Sequence, residues 1–153
     1  MADVVPAAVR SRMMAGIRGK DTKPELQVRR ALHAAGFRYR LHDSRLPGKP
    51  DMVFPKHRAV VFVHGCFWHG HNCHLFRLPA TRPEFWREKI GGNVERDRSA
   101  VEALHDRGWR VGSVWECALK GKTRRPAGEV AALLAEWLRG KTPDFELGGM
   151  TRD

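Results

Sequence analysis

Long apolar runs are absent from this chain. Its uncharged apolar runs, Ala59 to Val63 among them, are far too short to cross a bilayer. Met1 to Arg12 holds no apolar stretch of the kind a secretory signal needs. A membrane or secreted protein is therefore not expected, and a cytoplasmic one is. Cysteine is scarce: Cys66, Cys73 and Cys117 are an odd number that cannot all pair in disulfides. Acidic residues are outnumbered, 17 Asp+Glu against 28 Lys+Arg in 153 residues, which leaves a formal charge of +11. No internal repeat or linker divides the chain, and its length suits one domain with a substantial core.

The charge excess is uneven. Residues 10–49 hold eleven Lys and Arg against Asp21, Glu25 and Asp43, whereas Arg82 to Arg110 is nearly balanced. Such a stripe favours polyanions, and nucleic acid is the expected partner. Anionic lipid would require a basic amphipathic helix with a bulky apolar face, and none is evident.

Residues 1–20 read as a basic N-terminal arm, 21–140 as the folded domain and 141–153 as a mobile C-terminal tail. Thr22-Lys23-Pro24-Glu25 has the form of a helix start, with a capping Thr, a first-turn Pro and Glu three residues on. Gly36 supplies the stop. Alternation predicts a strand over 37–41. A turn at Leu46 to Pro50 leads to strands at 51–54 and 59–64. Residues 65–81 have no period. Helices are expected at 83–90 and, after Gly91-Gly92, up to Gly108. A fourth strand follows over 109–115, with Trp109 and Trp115 assigned to the core, and a last helix covers 129–138. This order predicts an α/β domain with a mixed central sheet flanked by helices.

Four of the eight histidines (His64, His69, His71, His74) lie within eleven residues, interleaved with Cys66 and Cys73. Three thiolates and one imidazole are a common closed zinc shell. Cys66, Cys73, Cys117 and one of His69, His71 or His74 would tie the unpatterned loop to the end of the fourth strand. The bland alternative is three buried thiols packing as small apolar residues.

Asp51 opens one strand and His64 closes the next, so an antiparallel pairing sets them side by side. A carboxylate there suits Mg2+, and an imidazole can take a proton from water. Phosphodiester hydrolysis needs both. Against this, Asp51 could simply start a strand, and Glu25 could serve only its cap.

The motifs Leu46-Pro-Gly-Lys-Pro-Asp51, Val63-His-Gly-Cys-Phe-Trp-His-Gly-His-Asn-Cys73, Pro79-Ala-Thr-Arg82, Phe85-Trp86, Glu88-Lys-Ile90, Asn93-Val-Glu-Arg-Asp-Arg98, Gly108-Trp-Arg-Val111 and Val114-Trp-Glu-Cys117 together resemble the very short patch repair (Vsr) mismatch endonuclease family. The similarity runs from about Ser11 to about Lys122. It implies a bacterial, nucleoid-associated enzyme that nicks DNA 5′ of the thymine in a T·G mismatch, leaving a 5′ phosphate. It also implies a restriction-endonuclease-like core, of PD-(D/E)xK type, with an added structural zinc. Where that superfamily has Glu-x-Lys, this chain has Phe62-Val63-His64, so histidines do the proton work. Val63 stands where a threonine occurs in the family, and Gly70 and Asn72 replace histidines.

Carried over, the resemblance implies that Asp51 coordinates catalytic Mg2+ with the backbone of Val63 nearby. His69 is the base for the attacking water, and Glu25 and His64 hold water and orient the imidazoles. Cys66, His71, Cys73 and Cys117 bind zinc. Phe67, Trp68 and Trp86 wedge into the duplex beside the mismatch, while Met14, Lys89 and Asn93 contact DNA. A monomer is expected, with repair proteins as a further partner class. Two other readings use parts of the same pattern: a non-catalytic zinc module that senses distorted duplex, and a zinc hydrolase of small substrates. The second fits poorly, because three Cys and one His would close the zinc shell.

Overall fold

The computed structural model describes residues 22–126 and 128–150, so the arm over 1–20 lies outside the described residues. Helix α1 (Lys23–Ala34) starts as its sequence requires. The Thr22 side chain accepts the Glu25 amide at 3.4 Å, Pro24 occupies the first turn, and Gly36 follows the helix with φ 98°. Strands β1 (Arg40–Leu41), β2 (Met52–Phe54) and β3 (Ala59–His64) follow, then helix α2 (Pro83–Asp106), β4 (Arg110–Trp115), helix α3 (Glu129–Arg139) and β5 (Asp144–Leu147).

The five strands form one mixed sheet in the order β1-β2-β3-β4-β5. β1, β2 and β3 pair antiparallel, whereas β3–β4 and β4–β5 are parallel. Helices cover both faces, so β3 is apolar on both sides. Ala59 and Val61 face a core with Val28 and Leu32 of α1 and Leu134 and Leu138 of α3. Val60 and Phe62 face a second core with Leu104, Trp109 and Val111. The expected mixed α/β architecture is therefore present.

Three expectations change. Residues 37–41 contribute only a two-residue strand, because β2 is short and pairs only Arg40 with Val53 and Leu41 with Met52. Phe37 is nonetheless buried, and the Tyr39 hydroxyl donates to the Arg29 carbonyl at 2.5 Å. The two helices expected around Gly91-Gly92 are one 24-residue helix. Each glycine costs a helix about 1 kcal/mol, but Ile90 and Leu104 are buried on either side, and that packing outweighs the local preference. The segment read as a mobile tail contains β5, joined to β4 from Val111↔Asp144 to Val114↔Leu147. Arg110 secures it, donating to the carbonyls of Trp137, Leu138, Thr142 and His57.

Gly48 shows how tightly the β1–β2 turn meets α2. Its φ is +75°, and a Cβ there would lie 2.7 Å from the Ala100 Cβ. This turn delivers Pro50 and Asp51 to the start of β2.

Candidate active site

The C-terminal end of β3 is where the chemistry-bearing residues converge. Asp51 Oδ2 accepts the Val63 amide at 2.7 Å, which ties the carboxylate to the end of the strand. Glu25, only 2% exposed, points inward from α1. Its Oε2 accepts from His42 Nε2 at 2.7 Å and from Arg29 Nη1 at 3.0 Å. One donor atom each from Glu25, His42 and Asp51 lies within 4.8 Å of the others. Burial, with the Glu25 carboxylate beside it, pushes the Asp51 carboxyl up to about 7 against the opposing Val63 amide. Two carboxylates crowded out of water are a natural cation site, because a cation relieves both costs. Glu25 thus does more than mark a helix start.

The Val63 side chain packs toward the α1/α3 core. His64, the next residue, leaves the strand on the opposite side. Its ring stacks with Phe62 (centroids 5.4 Å apart) and lies 4.2 Å from that of His69. His64 is 8% exposed. Burial above all, with His69 adding repulsion, lowers its pKa to about 3, so its ring is neutral at ordinary pH. His69 Nδ1 donates to Asp97 Oδ2 at 2.5 Å. Asp51 and His69 therefore belong to neighbouring clusters joined through the consecutive residues Val63 and His64.

The same loop carries the thiols. His71 Nδ1 lies 3.5 Å from both Cys66 Sγ and Cys117 Sγ, and Cys73 completes a set of donors within 4.8 Å of one another. Backbone amides of Cys117 and Gly149 donate to Cys66 Sγ and Cys117 Sγ at 3.3 and 3.2 Å. Burial and the neighbouring thiols push the Cys66 pKa up, a cost that a bound cation removes. The choice left open by spacing falls on His71: His69 pairs with Asp97, and His74 Nδ1 lies 3.5 Å from Thr123 Oγ1. Three sulfurs and one imidazole are donors suited to a closed, soft-metal site.

Beside the thiols stands an aromatic cluster. Phe67 lies 5.1 Å from Trp68 and 5.6 Å from Trp86, and Trp68 lies 5.9 Å from Trp86, centroid to centroid. Phe76 and Phe85 extend it; Phe85 is 42% exposed. The Asn93 amide donates to the Trp68 carbonyl at 2.9 Å, and Lys89 is exposed on the same helix. Met14 lies outside the described residues. Trp109 is buried as expected. Trp115 is not simply core: it stacks on His71 at 4.1 Å and donates to Glu146 Oε1.

Sequence reasoning assigned no role to Asp97 or His42. Asp97 stands four residues after Asn93, so the two share a face of α2. His42 ends the alternating stretch after Leu41, and only the fold brings it to Glu25.

Among known proteins, residues 2–75 match the family model described as DNA mismatch endonuclease Vsr. The chain is 48% identical over 141 residues to the DNA mismatch endonuclease Vsr of Escherichia coli, spanning 92% of this chain and 90% of that one. It is 49% identical to a type II nicking enzyme of Xanthomonas oryzae over 78% of this chain and 88% of that one. A type II nicking enzyme of Neisseria meningitidis is 48% identical over 80% and 87%, respectively.

Proposed function

Because the chain belongs to the DNA mismatch endonuclease Vsr family and is an endonuclease, we propose that it makes a single Mg2+-dependent nick 5′ of the thymine in a T·G mismatch. The observation that carries this reading is the convergence of Asp51, Glu25, His64 and His69 at one end of β3, beside an aromatic cluster.

Asp51 and Glu25 would hold the Mg2+, with the backbone of Val63 nearby. When bound, the ion supplies charge stabilisation for the pentavalent phosphate and leaving oxygen. Val63 suits a backbone role, since its side chain packs toward the core and its amide engages Asp51. His69 takes the proton from the attacking water. Asp97 fixes its Nδ1–H, which leaves Nε2 as the basic nitrogen. His64, neutral and packed against His69, holds that ring in place. Glu25 orients His42 and shares the carboxylate site.

Cys66, His71, Cys73 and Cys117 would hold Zn2+, which supplies rigidity to the loop rather than reactivity. Phe67 and Trp68 follow Cys66 directly, so they share that rigidity. Inserting rings between base steps costs a few kcal/mol, and least where a wobble pair already stacks poorly. Selectivity for the mismatch follows from that difference. Trp86 completes the wedge, and Lys89, Asn93 and the arm residue Met14 contact the duplex.

The enzyme works as a monomer in the bacterial cytoplasm, on the nucleoid, with room for repair-protein partners. No described helix is long and apolar enough to cross a membrane. The decisive experiment is cleavage of a panel of mismatched and matched duplexes with randomised flanks, with and without Mg2+. One Mg2+-dependent nick 5′ of the thymine in T·G is expected. Equal cutting of matched duplex, or binding without cleavage under any divalent ion, would defeat the reading.

A further inference from the structure

Three groups of metal-capable side chains occur among the described residues, and only two are given a metal above. In the third, one nitrogen each of His64 and His69 and one oxygen of Asp97 lie within 4.8 Å of one another. All three line a cavity of about 320 Å3, whose wall also includes Ser113, Trp115 and Glu146. His69 and Asp97 are partly exposed. No hydrogen bond to the His64 ring is found among the described residues, whereas Asp97 already holds His69.

We propose that His64, His69 and Asp97 form a second, transition-metal site that is distinct from the Asp51 carboxylate site and closes the enzyme when filled. Two imidazoles and one carboxylate, with room for water at the remaining positions, suit Zn2+, Co2+ or Ni2+. Mg2+ prefers carboxylate, water and phosphate oxygens, so the ion that supports nicking does not compete well here. A metal on this triad occupies the imidazole that takes the proton from water, and its charge repels a second cation nearby. Micromolar transition metal would then act as an inhibitor while Mg2+ remains abundant. The inhibitory part rests on His69 being the base; the binding part does not.

The test starts from full-length protein with the cysteine site already zinc-loaded. Zn2+ or Co2+ is titrated in without DNA while the imidazole 1H–15N signals are followed by NMR. One further equivalent is expected to bind, shifting or broadening the His64 and His69 ring signals. Asp97→Asn and His69→Ala, both at partly exposed positions, should each weaken that binding at least tenfold, and Asp51→Asn should leave it unchanged. Absence of a further equivalent, or binding that follows Asp51 rather than Asp97, overturns the site. Nicking is then measured in excess Mg2+ with the same ion added. Loss of nicking in step with occupancy supports the inhibition; nicking that continues with the triad filled overturns the inhibition and the assignment of His69 as base, while the NMR result stands.

Discussion

His69 Nδ1 lies 2.5 Å from Asp97 Oδ2, and one helical turn earlier Asn93 donates to the Trp68 carbonyl. Two residues of α2 thus hold two consecutive residues of the loop, one a ring of the aromatic cluster and the other an imidazole. The helix acts as a ruler: i and i+4 share a face, so Trp68 and His69 are held at a constant separation.

Replacing His69 with Ala should lower single-turnover nicking by about 10²–10⁴-fold, the usual contribution of a positioned base. Asp97→Asn should lower it less and leave mismatch binding within a few-fold of the parent. Quench-flow nicking beside fluorescence anisotropy with a T·G duplex measures both. A larger loss of binding than of rate would show that Asp97 serves the wedge rather than the base.

Asp51→Asn should abolish nicking while T·G duplex is still bound. The pH dependence of stability has a definite sign. Without Mg2+, burial and the Glu25 carboxylate push the Asp51 carboxyl up to about 7. The unfolded chain loses that proton near pH 4. Between these values the native state binds more protons, so stability falls as pH rises from about 4 to about 7. Asp51→Asn should flatten that part of the Tm–pH curve, and an unchanged slope would contradict the assignment.

Gly70 has φ +63°, and a Cβ on it would sit 3.1 Å from Ile90 Cγ2 and Val94 Cγ2. Gly70→Ala should cost about 1–2 kcal/mol for the left-handed backbone alone, with further loss from displacing the loop off α2. Urea denaturation reads this as a lower midpoint at an unchanged m value.

Removing zinc with a strong chelator, or making Cys117→Ser, should release the loop and quench nicking together. Trp115 stacks on His71, so tryptophan fluorescence should change with metal loss. One zinc per chain is the stoichiometry expected by elemental analysis of protein purified without added metal, and full activity in zinc-free protein would refute a structural role for the Cys–His site.

Trp68→Ala should narrow the affinity gap between T·G and matched duplex by about 1–3 kcal/mol, the usual worth of one base–aromatic stack. Trp86→Ala should act in the same direction. If matched and mismatched duplex weaken equally, these rings provide general adhesion and not selectivity.

Much of this molecule is local and therefore legible in its residues. The apolar run of Ala59 to Val63, closed by His64, reads as a buried strand, and Thr22-Lys23-Pro24-Glu25 carries its own helix start. The Cys and His of the loop lie close enough in the chain for a candidate metal site to be legible there, although Cys117 reaches it only through the fold. Other features depend on partners distant in sequence. Gly91-Gly92 argues locally for a break, yet burial of Ile90 and Leu104 keeps α2 whole. Residues 144–147 have little strand signal of their own and become β5 because β4 offers an open edge. His71 rather than His69 or His74 meets the thiols because Asp97 and Thr123, from remote elements, engage the other two. Residue order alone therefore settled which groups the chain possesses and placed β2, β3 and β4, between which most of them lie. Long-range packing decided which groups meet, since a side chain's partner is set by where its backbone is carried and not by its neighbours in sequence.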